Sequence, residues 1–281
     1  MRVTTYDDTA AAAVARIARA CHEADGRDPL DEAARLHLAH HGLRASALWL
    51  SADGFALARS VTGHVELDLA VAPGGRRTGE GTALLAAALA EVGAREVRAW
   101  SHGDHPGAAA LAAATGFRRD RELLVLARPL PVEDGREQDL RIRAWQPGDA
   151  PELLRVNAAA FAHHPEQGGM DATNLAERMA EPWFDPAGLL VAMDGERMLG
   201  FHWTKVHGHA GDGEVYVVAV DPPAHARGVG GALLRAGLRH LAAAGARRVF
   251  LYVEADNAPA LALYRGLGFS TDHAHVQYVR P

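Results

Sequence analysis

The chain contains two copies of one segment, and this duplication constrains its fold more than any other feature. The segment "LAVAPGGRRTGEGTALL" at 69–85 is similar to "VAVDPPAHARGVGGALL" at 218–234. Val71 and Gly79 match Val220 and Gly228 with the same offset of 149 residues. Two copies are too few for a solenoid, so the repeat predicts two tandem domains of similar fold.

Length and composition narrow the class of protein. The 281 residues suffice for two domains, and 48% hydrophobic with 23% charged residues is typical of a globular protein. A net charge of -6 argues against a nucleic-acid partner and favours a small molecule. The single cysteine, Cys21, excludes an internal disulfide and fits a reducing cytoplasm. No run reaches the roughly 18 apolar residues of a membrane helix, so we expect no membrane partner. We further expect the protein to be a cytoplasmic monomer.

The histidine-rich strings "HLAHH" and "HGHA" suggest a metal site at first sight. They lack an ordered pair of helical ligands with a carboxylate partner, which a zinc site of this kind requires. We therefore expect no metal.

Both copies predict the same order of elements. Each has a short strand, helical segments, three consecutive strands, the glycine loop with its helix, a strand, a helix and a last strand. In the second copy, Asp194-Gly195 between two apolar runs predicts a hairpin. The charged, proline-bearing string "RPLPVEDGREQD" at 128–139 separates the copies. We expect domains at 1–130 and 140–281, joined by a linker at 131–139.

The glycine loop has the chemistry of a phosphate site. Gly228, Gly230 and Gly231 allow a tight turn and a close approach of the backbone to a ligand. The helix that follows directs its free N–H groups at the loop, and Arg227 adds positive charge. The alternative is an ordinary glycine-rich turn between a strand and a helix, but its repetition and its place after three strands favour a pyrophosphate site.

Each copy resembles a domain of the GNAT superfamily of acetyltransferases, whose motif V-x-x-x-x-[QR]-x-x-G-x-[GA] binds the pyrophosphate of acetyl-CoA. "VAPGGRRTGEG" fits the motif with Arg76, whereas "VDPPAHARGVG" departs from it at His225. The resemblance implies an α/β (α+β) fold of two tandem GNAT-type domains, each a mixed, mostly antiparallel twisted sheet flanked by helices. It also implies acetyl-CoA as cosubstrate.

The two copies differ in their candidate catalytic residues. The resemblance implies that Tyr264, five residues before Phe269, protonates the departing CoA thiolate; the first copy has Ala112 there. Glu214 is the candidate base, acting through water, and the constant offset gives Val65 in its place. Strand alternation predicts Glu214, Tyr216 and Val218 on one face. Backbone N–H groups near Val218–Val220 are candidates for polarising the thioester carbonyl. The alternatives are a core tyrosine and a solvated glutamate at a strand entry.

Four strings, "FAHHPEQGG", "LGFHWTKVH", "GEVYVVAVDP" and "LYVEADNAPALALYRGLGF", resemble one family of tandem GNAT enzymes. That family acetylates the cysteinyl amine of a cysteine–glucosamine–inositol conjugate, a small thiol sugar. The resemblance implies substrate contacts at Glu32, Glu166, Lys205, Glu214 and Tyr252. For Glu32, a favourable position in the first turn of a helix is an equal alternative.

The resemblance also implies acetyl-CoA contacts in both copies. In the first copy they are Leu69, Ala70, Val71, Arg77, Thr78, Gly79, Glu80, Gly81 and Thr82. In the second copy they are Val218, Ala219, Val220, His225, Ala226, Arg227, Gly228, Val229, Gly230, Gly231, Asn257, Ala258, Pro259, Ala260, Leu261 and Ala262. For Asn257, capping of the following helix is an equal alternative.

Two other functions fit parts of this pattern. One is a GNAT enzyme that acetylates another amine, such as an aminoglycoside, a polyamine or a protein N-terminus. The other is a non-catalytic acyl-CoA-binding module. The four strings argue against the first, and the presence of Glu214 and Tyr264 in the second copy argues against the second.

Overall fold

The computed structural model describes residues 1–131, 140–162, 167–208 and 211–281. These residues form two compact units, Met1–Leu124 with His273–Pro281 and Val125–Asp272. The predicted domain extents stay a prediction, and most of the predicted linker lies outside the described residues. Within the described ranges, every helix is too short or too polar to span a membrane.

The first unit is a twisted sheet between two helical layers. Its elements are β1 (Arg2–Val3), α1 (Asp8–Asp25), α2 (Glu32–His41), β2 (Ser46–Leu50), β3 (Gly54–Val61), β4 (His64–Val71), α3 (Glu80–Val92), β5 (Val97–Ser101), α4 (Pro106–Ala114) and the start of β6 (Arg118–Pro129). The strand order is β1-β2-β3-β4-β5, followed by the end of β12 (Ser270–Arg280). Only β4 and β5 pair in parallel among these neighbours. Apolar side chains of α1 and α2 fill one face of the sheet, and those of α3 fill the other.

The second unit repeats this plan. Its elements are β7 (Arg141–Ala144), α5 (Ala150–Ala160), α6 (Ala172–Met179), β8 (Leu189–Asp194), β9 (Arg197–His207), β10 (Asp212–Val220), α7 (Val229–Ala243), β11 (Arg248–Glu254), α8 (Ala258–Gly266) and the start of β12. The strand order is β7-β8-β9-β10-β11, followed by the end of β6. The repeated order of elements and the predicted hairpin at Asp194-Gly195 are confirmed, and Gly195 has the positive φ of 61° that such a turn requires.

A β-bulge distinguishes β10 from β4. The antiparallel pairing of β10 with β9 shifts between Val215 and Val217, which leaves Tyr216 as the extra residue. The pairing of β4 with β3 runs without a shift from Val71 to His64. A residue of β10 that precedes the bulge is therefore separated from its counterpart in β4 by one residue fewer than the 149 that separate the two glycine loops.

This register changes the residue that corresponds to Glu214. Glu214 lies opposite Lys205, and Glu66 lies opposite Arg59 in the first unit. Both glutamates also end the parallel pairing with the next strand, Glu214 with Phe250 and Glu66 with Arg98. The expectation that the first copy has only Val65 at this place is wrong, because the bulge brings Glu66 there.

The bulge also changes which residues share a face. Tyr216 packs against Trp203 in the core under α5, together with Val217 and Ala219. Val220 instead packs in the cluster that contains Leu233 of α7. By alternation Val218 lies on the α7 face with Val220. The expectation that Val218 shares a face with Glu214 and Tyr216 is therefore wrong for Val218.

Candidate active site

The glycine loops of the two units have the same backbone conformation. Arg77 and Gly79 have φ of 62° and 91°, and the corresponding Ala226 and Gly228 have φ of 62° and 74°. The helices α3 and α7 begin directly after these glycines, and no side chain caps either helix. Their first-turn N–H groups are thus available to an anion, and the positive helix dipole favours it. Each loop is a cradle suited to a pyrophosphate.

Arg76 and His225 stabilise their loops in the same way despite their different chemistry. Arg76 Nε donates to the carbonyl oxygen of Val71 at 2.8 Å, and its other nitrogens bind the Asp25 carboxylate. His225 Nε2 lies 3.2 Å from the carbonyl oxygen of Val220, the counterpart of Val71. The hydrogen bonds from Arg76 lower the pKa of Asp25. The departure from the GNAT motif at His225 therefore keeps the contact that ties the loop to the end of the strand.

Two parallel strands separate beside each cradle. The pairing of β10 with β11 covers Asp212 to Glu214, yet β10 continues to Val220 and β11 to Glu254. In the first unit β4 and β5 pair only at Val65 and Glu66. Beyond these pairs, the backbone of each central strand is no longer paired with its parallel neighbour. An extended ligand could take hydrogen bonds from the strand while its phosphates lie in the cradle.

Glu214 lies at the point where the strands separate and is only 6% exposed. Its Oε2 lies 2.7 Å from Nε2 of His207, which belongs to the neighbouring strand β9. The His207 ring also lies over Phe250, with centroids 5.2 Å apart. Glu214 is therefore a buried, oriented carboxylate, and the alternative of a solvated glutamate at a strand entry does not hold.

Lys205 and an aromatic group extend this site. Lys205 Nζ lies 4.3 Å from the ring centroid of Trp183 and 5.3 Å from that of Tyr216. The Tyr216 hydroxyl accepts a hydrogen bond from Arg178 of α6. These contacts hold the ammonium of Lys205 over aromatic faces, where cation–π attraction orients it. Lys205 and Glu214, opposite each other in the sheet, provide opposite charges on one face.

Tyr264 is half-buried on α8 and packs edge-on against Phe269, with ring centroids 5.9 Å apart. Burial raises the pKa of its phenol to about 12, so the proton stays on the oxygen at neutral pH. Within the described part of the chain the hydroxyl has no hydrogen-bond partner. The neighbouring Leu263 lies beside Gly230 of the cradle, since a Cβ on Gly230 would be 3.7 Å from the Leu263 side chain and 3.5 Å from that of Val220. The phenol thus belongs to a helix that packs against the cradle.

The other predicted contacts occupy different places. Tyr252 is 46% exposed on β11 and packs edge-on against Phe250, at 5.8 Å between centroids. Asn257 accepts a hydrogen bond from the N–H of Ala260 and caps α8, which is the structural alternative given for it. Glu32 is the first residue of α2, in the first unit, behind the N-cap Asp31. Glu166 lies outside the described residues.

The side chain of Glu80 is not directed at the first cradle. Its Oε1 accepts a hydrogen bond from the backbone N–H of Asp53 at 3.1 Å. The second unit has Val229 at the corresponding position, where it is buried. Contacts of Glu80 and Val229 with a pyrophosphate would therefore come from their backbone N–H groups.

The first unit keeps a carboxylate at the corresponding site but surrounds it differently. Glu66 Oε1 lies 2.7 Å from Nε2 of His64, the same separation as in the Glu214–His207 pair. Arg59 donates to Asp68 at 3.1 Å, and all four side chains are largely buried. Burial raises the pKa of Asp68 to about 7, against the opposing effect of Arg59. The first unit also has Ala112, 7% exposed, in place of Tyr264.

His207 is the residue of the site that the sequence analysis missed. Trp203, Lys205 and His207 alternate along β9, and alternation places them on one face. Lys205 is a predicted substrate contact in this strand, and alternation from Lys205 to the residue two positions later is the sequence signal that points to His207. Among the described ranges, no group of three His, Cys, Asp or Glu side chains is arranged to hold a metal ion.

The fold and the cradles define a class of protein, and comparison with known proteins agrees with it. Residues 157–269 match the model of the acetyltransferase (GNAT) family. A GCN5-related N-acetyltransferase from Sphaerobacter thermophilus superposes with a TM-score of 0.70 at 24% identity, covering 95% of this chain and 91% of that one. A tandem GNAT protein from the clavulanic acid biosynthesis pathway also has a TM-score of 0.70, at 17% identity, covering 100% and 98%. The chain therefore has the fold of a tandem GNAT protein, and its second unit contains the residues that match the acetyltransferase family.

Relatives of higher identity narrow the family. A mycothiol acetyltransferase from Nocardioides sp. is 55% identical, with 98% of this chain and 100% of the relative covered. Another from Clavibacter michiganensis subsp. michiganensis is 48% identical, with 91% and 87% covered. The chain belongs to the mycothiol acetyltransferase family, whose members are acetyl-CoA-dependent N-acetyltransferases. This confirms the resemblance of the four strings.

Proposed function

We propose that the second unit transfers the acetyl group of acetyl-CoA to the cysteinyl amine of 1D-myo-inositol 2-(L-cysteinylamino)-2-deoxy-glucopyranoside. The products are mycothiol and free CoA. The observation that carries the proposal is the buried carboxylate of Glu214, held by His207 at the point where β10 and β11 separate beside the cradle. The names of the close relatives support this acceptor.

Glu214 acts as the base in this proposal. An α-amine has a pKa of about 7.7–8.0, so a fraction of it is neutral at pH 7 and a carboxylate acting through one water suffices. The neutral nitrogen attacks the thioester carbonyl and then loses a proton towards Glu214. Backbone N–H groups of Val218–Val220, beyond the last pairing of β10 with β11, stabilise the negative charge on the carbonyl oxygen.

Tyr264 acts as the acid. Its phenol keeps its proton at neutral pH and has no competing hydrogen bond within the described residues. A free thiol has a pKa of about 8.5, well below that of the buried phenol. Transfer from the phenol to a thiolate in water would thus be uphill, and burial of the thiolate reduces this difference because it raises the pKa of the leaving group as well.

The acceptor binds through charged and polar side chains. Glu214 pairs with the ammonium before transfer, and Lys205 donates to hydroxyl or carbonyl oxygens of the conjugate. Tyr252 offers an exposed phenol on β11. Glu32 and Glu166 complete the proposed set, and for Glu166 the resemblance alone supports the role.

Both cradles bind acetyl-CoA in this proposal, because their loops share one conformation. The first unit lacks the acid, and its carboxylate faces the buried Arg59–Asp68 pair. We therefore expect two acetyl-CoA molecules per chain in equilibrium titrations and one after Gly79→Glu, which adds a charged side chain in a positive-φ position of the first cradle. A wild-type stoichiometry of one would restrict the cosubstrate to a single unit.

The acceptor is tested by measuring CoA release with four amines under the same conditions. They are the cysteine–glucosamine–inositol conjugate, an aminoglycoside, a polyamine and a peptide with a free N-terminus. We expect turnover with the conjugate and little or none with the others. Turnover with only one of the others would reject the acceptor while keeping the enzyme class, and binding of acetyl-CoA without any turnover would indicate a non-catalytic module.

A further inference from the structure

The Glu214–His207 pair connects a buried carboxylate to the protein surface. The side chain of Glu214 is 8% exposed, whereas that of His207 is 37% exposed. The two are joined by one hydrogen bond between Oε2 and Nε2. Within the described residues the other ring nitrogen of His207, Nδ1, has no hydrogen-bond partner, and it is the atom from which a proton could leave for solvent.

The proposed reaction, on which this inference rests, releases one net proton. An ammonium acceptor loses two protons when it becomes an amide. One of these two protons is offset by the proton that Tyr264 gives to the thiolate of CoA. The other proton must leave the protein. The proposed base is 6% exposed, so a proton placed on it needs a defined route to solvent.

The surroundings of His207 leave few other carriers for that proton. Lys205 lies two residues earlier on the same face of β9, with its ammonium over aromatic rings, and Phe250 covers one side of the His207 ring. Asp212 lies opposite His207 on β10 but is bound to Arg248 of β11 at 3.2 Å. The titratable and charged groups of the elements around the pair are Arg197, His202 and Lys205 on β9, Asp212 and Tyr216 on β10, Arg248, Tyr252 and Glu254 on β11, and Glu177 and Arg178 on α6. His202 lies on the other face of β9, where its Nδ1 is 2.9 Å from the carbonyl oxygen of Leu233 in α7. Among the described residues on the face of the pair, His207 is the histidine, and an imidazole is the side chain best suited to take up and release a proton at neutral pH.

We propose that His207 is a positioning residue that carries the proton from Glu214 to solvent. The amine proton first forms an O–H bond on the Glu214 carboxylate. The imidazole that takes part is the Nδ1–H tautomer, whose Nε2 carries a lone pair. The O–H bond breaks as the proton passes to this lone pair, which gives an imidazolium. The N–H bond at Nδ1 then breaks and releases its proton to water, leaving an Nε2–H tautomer that donates to the restored carboxylate. Exchange of both ring nitrogens with solvent returns the starting tautomer.

The first unit offers a matched pair for comparison. His64 and Glu66 are 2.7 Å apart, and Glu66 occupies the same pairing position in the sheet as Glu214. Ala112 replaces the acid in that unit, so no net proton is expected to leave through it. His64→Gln is therefore a control for removing an imidazole from a buried carboxylate without touching the proposed route.

The test measures steady-state acetyl transfer by the full chain, with the concentration of the cysteine–glucosamine–inositol conjugate varied at saturating acetyl-CoA, because the proton has to leave Glu214 before each new turnover. His207→Gln keeps an N–H donor for the carboxylate but cannot take up and release a proton, and His207→Ala removes the side chain. We expect both variants to slow the transfer about tenfold or more, with KM for the conjugate changed less than about threefold. Added imidazole should accelerate His207→Ala and leave His207→Gln unchanged. His64→Gln should react at the wild-type rate.

Two outcomes would overturn the inference. A wild-type rate in His207→Gln with a slow His207→Ala would make His207 a hydrogen-bond donor only, and wild-type rates in both would leave it without a role. Glu214→Gln separates this inference from the proposed function, because retained turnover in that variant would reject the base itself. Thermal unfolding of each variant shows whether a lost rate comes from a lost fold.

Discussion

At the scale of single residues, burial determines what the side chains of the second unit can do. It leaves the proton on Tyr264, and it keeps Glu214 from bulk water so that His207 orients it. The sequence could predict Glu214 and Tyr264 because both stand at fixed distances from the glycine loop. It could not predict their burial or the His207 contact, because these depend on the pairing of β9 with β10.

Tyr264→Phe tests the acid. The change removes the hydroxyl and keeps the ring that packs against Phe269, so the fold and acetyl-CoA binding should be unaffected. We expect kcat to fall about 100-fold or more, which is the usual effect of losing a general acid. Steady-state kinetics give kcat, and a titration with acetyl-CoA gives its Kd. Unchanged turnover would remove Tyr264 from the mechanism.

The burial of His202 predicts that the folded protein loses stability in acid. It is fully buried, its Nδ1 lies 2.9 Å from the carbonyl oxygen of Leu233, and burial lowers its pKa to about 4. The unfolded chain has the ordinary pKa of about 6.5, so it binds the proton first as the pH falls. The contribution of His202 to the free energy of unfolding is therefore fully present above pH 6.5, and it decreases by about 3 kcal/mol as the pH falls towards 4.

The control for this prediction is His202→Asn, whose amide can donate to Leu233 but does not titrate. Urea unfolding at several pH values between 7 and 4 measures the free energy of unfolding. We expect a shallower pH dependence in His202→Asn than in the wild type. Parallel curves would mean that His202 is not buried in its neutral form.

At the scale of elements, the order of strands and helices was readable from the sequence and the register was not. Periodicity and the repeat predicted the types of the strands and helices in each unit and the order in which they follow one another. The bulge at Tyr216 is one extra residue inside a strand of ordinary composition, and the constant offset of the loops conceals it. Only the hydrogen-bonded pairs reveal that Glu66, and not Val65, corresponds to Glu214.

A close contact between β9 and α7 gives an element-scale prediction. Gly237 of α7 faces His202, and a Cβ at Gly237 would lie 2.0 Å from Nδ1 of His202. The first unit has Ala56 and Ala88 at the two corresponding places, both fully buried. Alanine normally stabilises a helix relative to glycine by about 1 kcal/mol, but this clash reverses the sign.

We expect Gly237→Ala to destabilise the protein by about 1–3 kcal/mol. The double variant His202→Ala with Gly237→Ala recreates the pair of the first unit, so it should lose less than the sum of the two single variants. Urea unfolding of the wild type and the three variants completes the cycle. Additive effects would show that the two residues do not interact.

At the scale of the whole molecule, we propose that the duplication separates binding from chemistry. Both units keep the cradle, the diverging strands and a glutamate beside a histidine. They differ in the acid, in the bulge, and in the buried Arg59–Asp68 pair that lies beside Glu66. In this proposal, acetyl transfer takes place in the second unit alone.

The most direct test compares Glu214→Gln with Glu66→Gln, two isosteric changes at the same pairing position of the two sheets. The measurement is CoA release by the full chain with acetyl-CoA and the cysteine–glucosamine–inositol conjugate. We predict that Glu214→Gln loses about 100-fold or more in kcat, while Glu66→Gln keeps the wild-type kcat. A loss of turnover in Glu66→Gln with activity retained in Glu214→Gln would contradict the account.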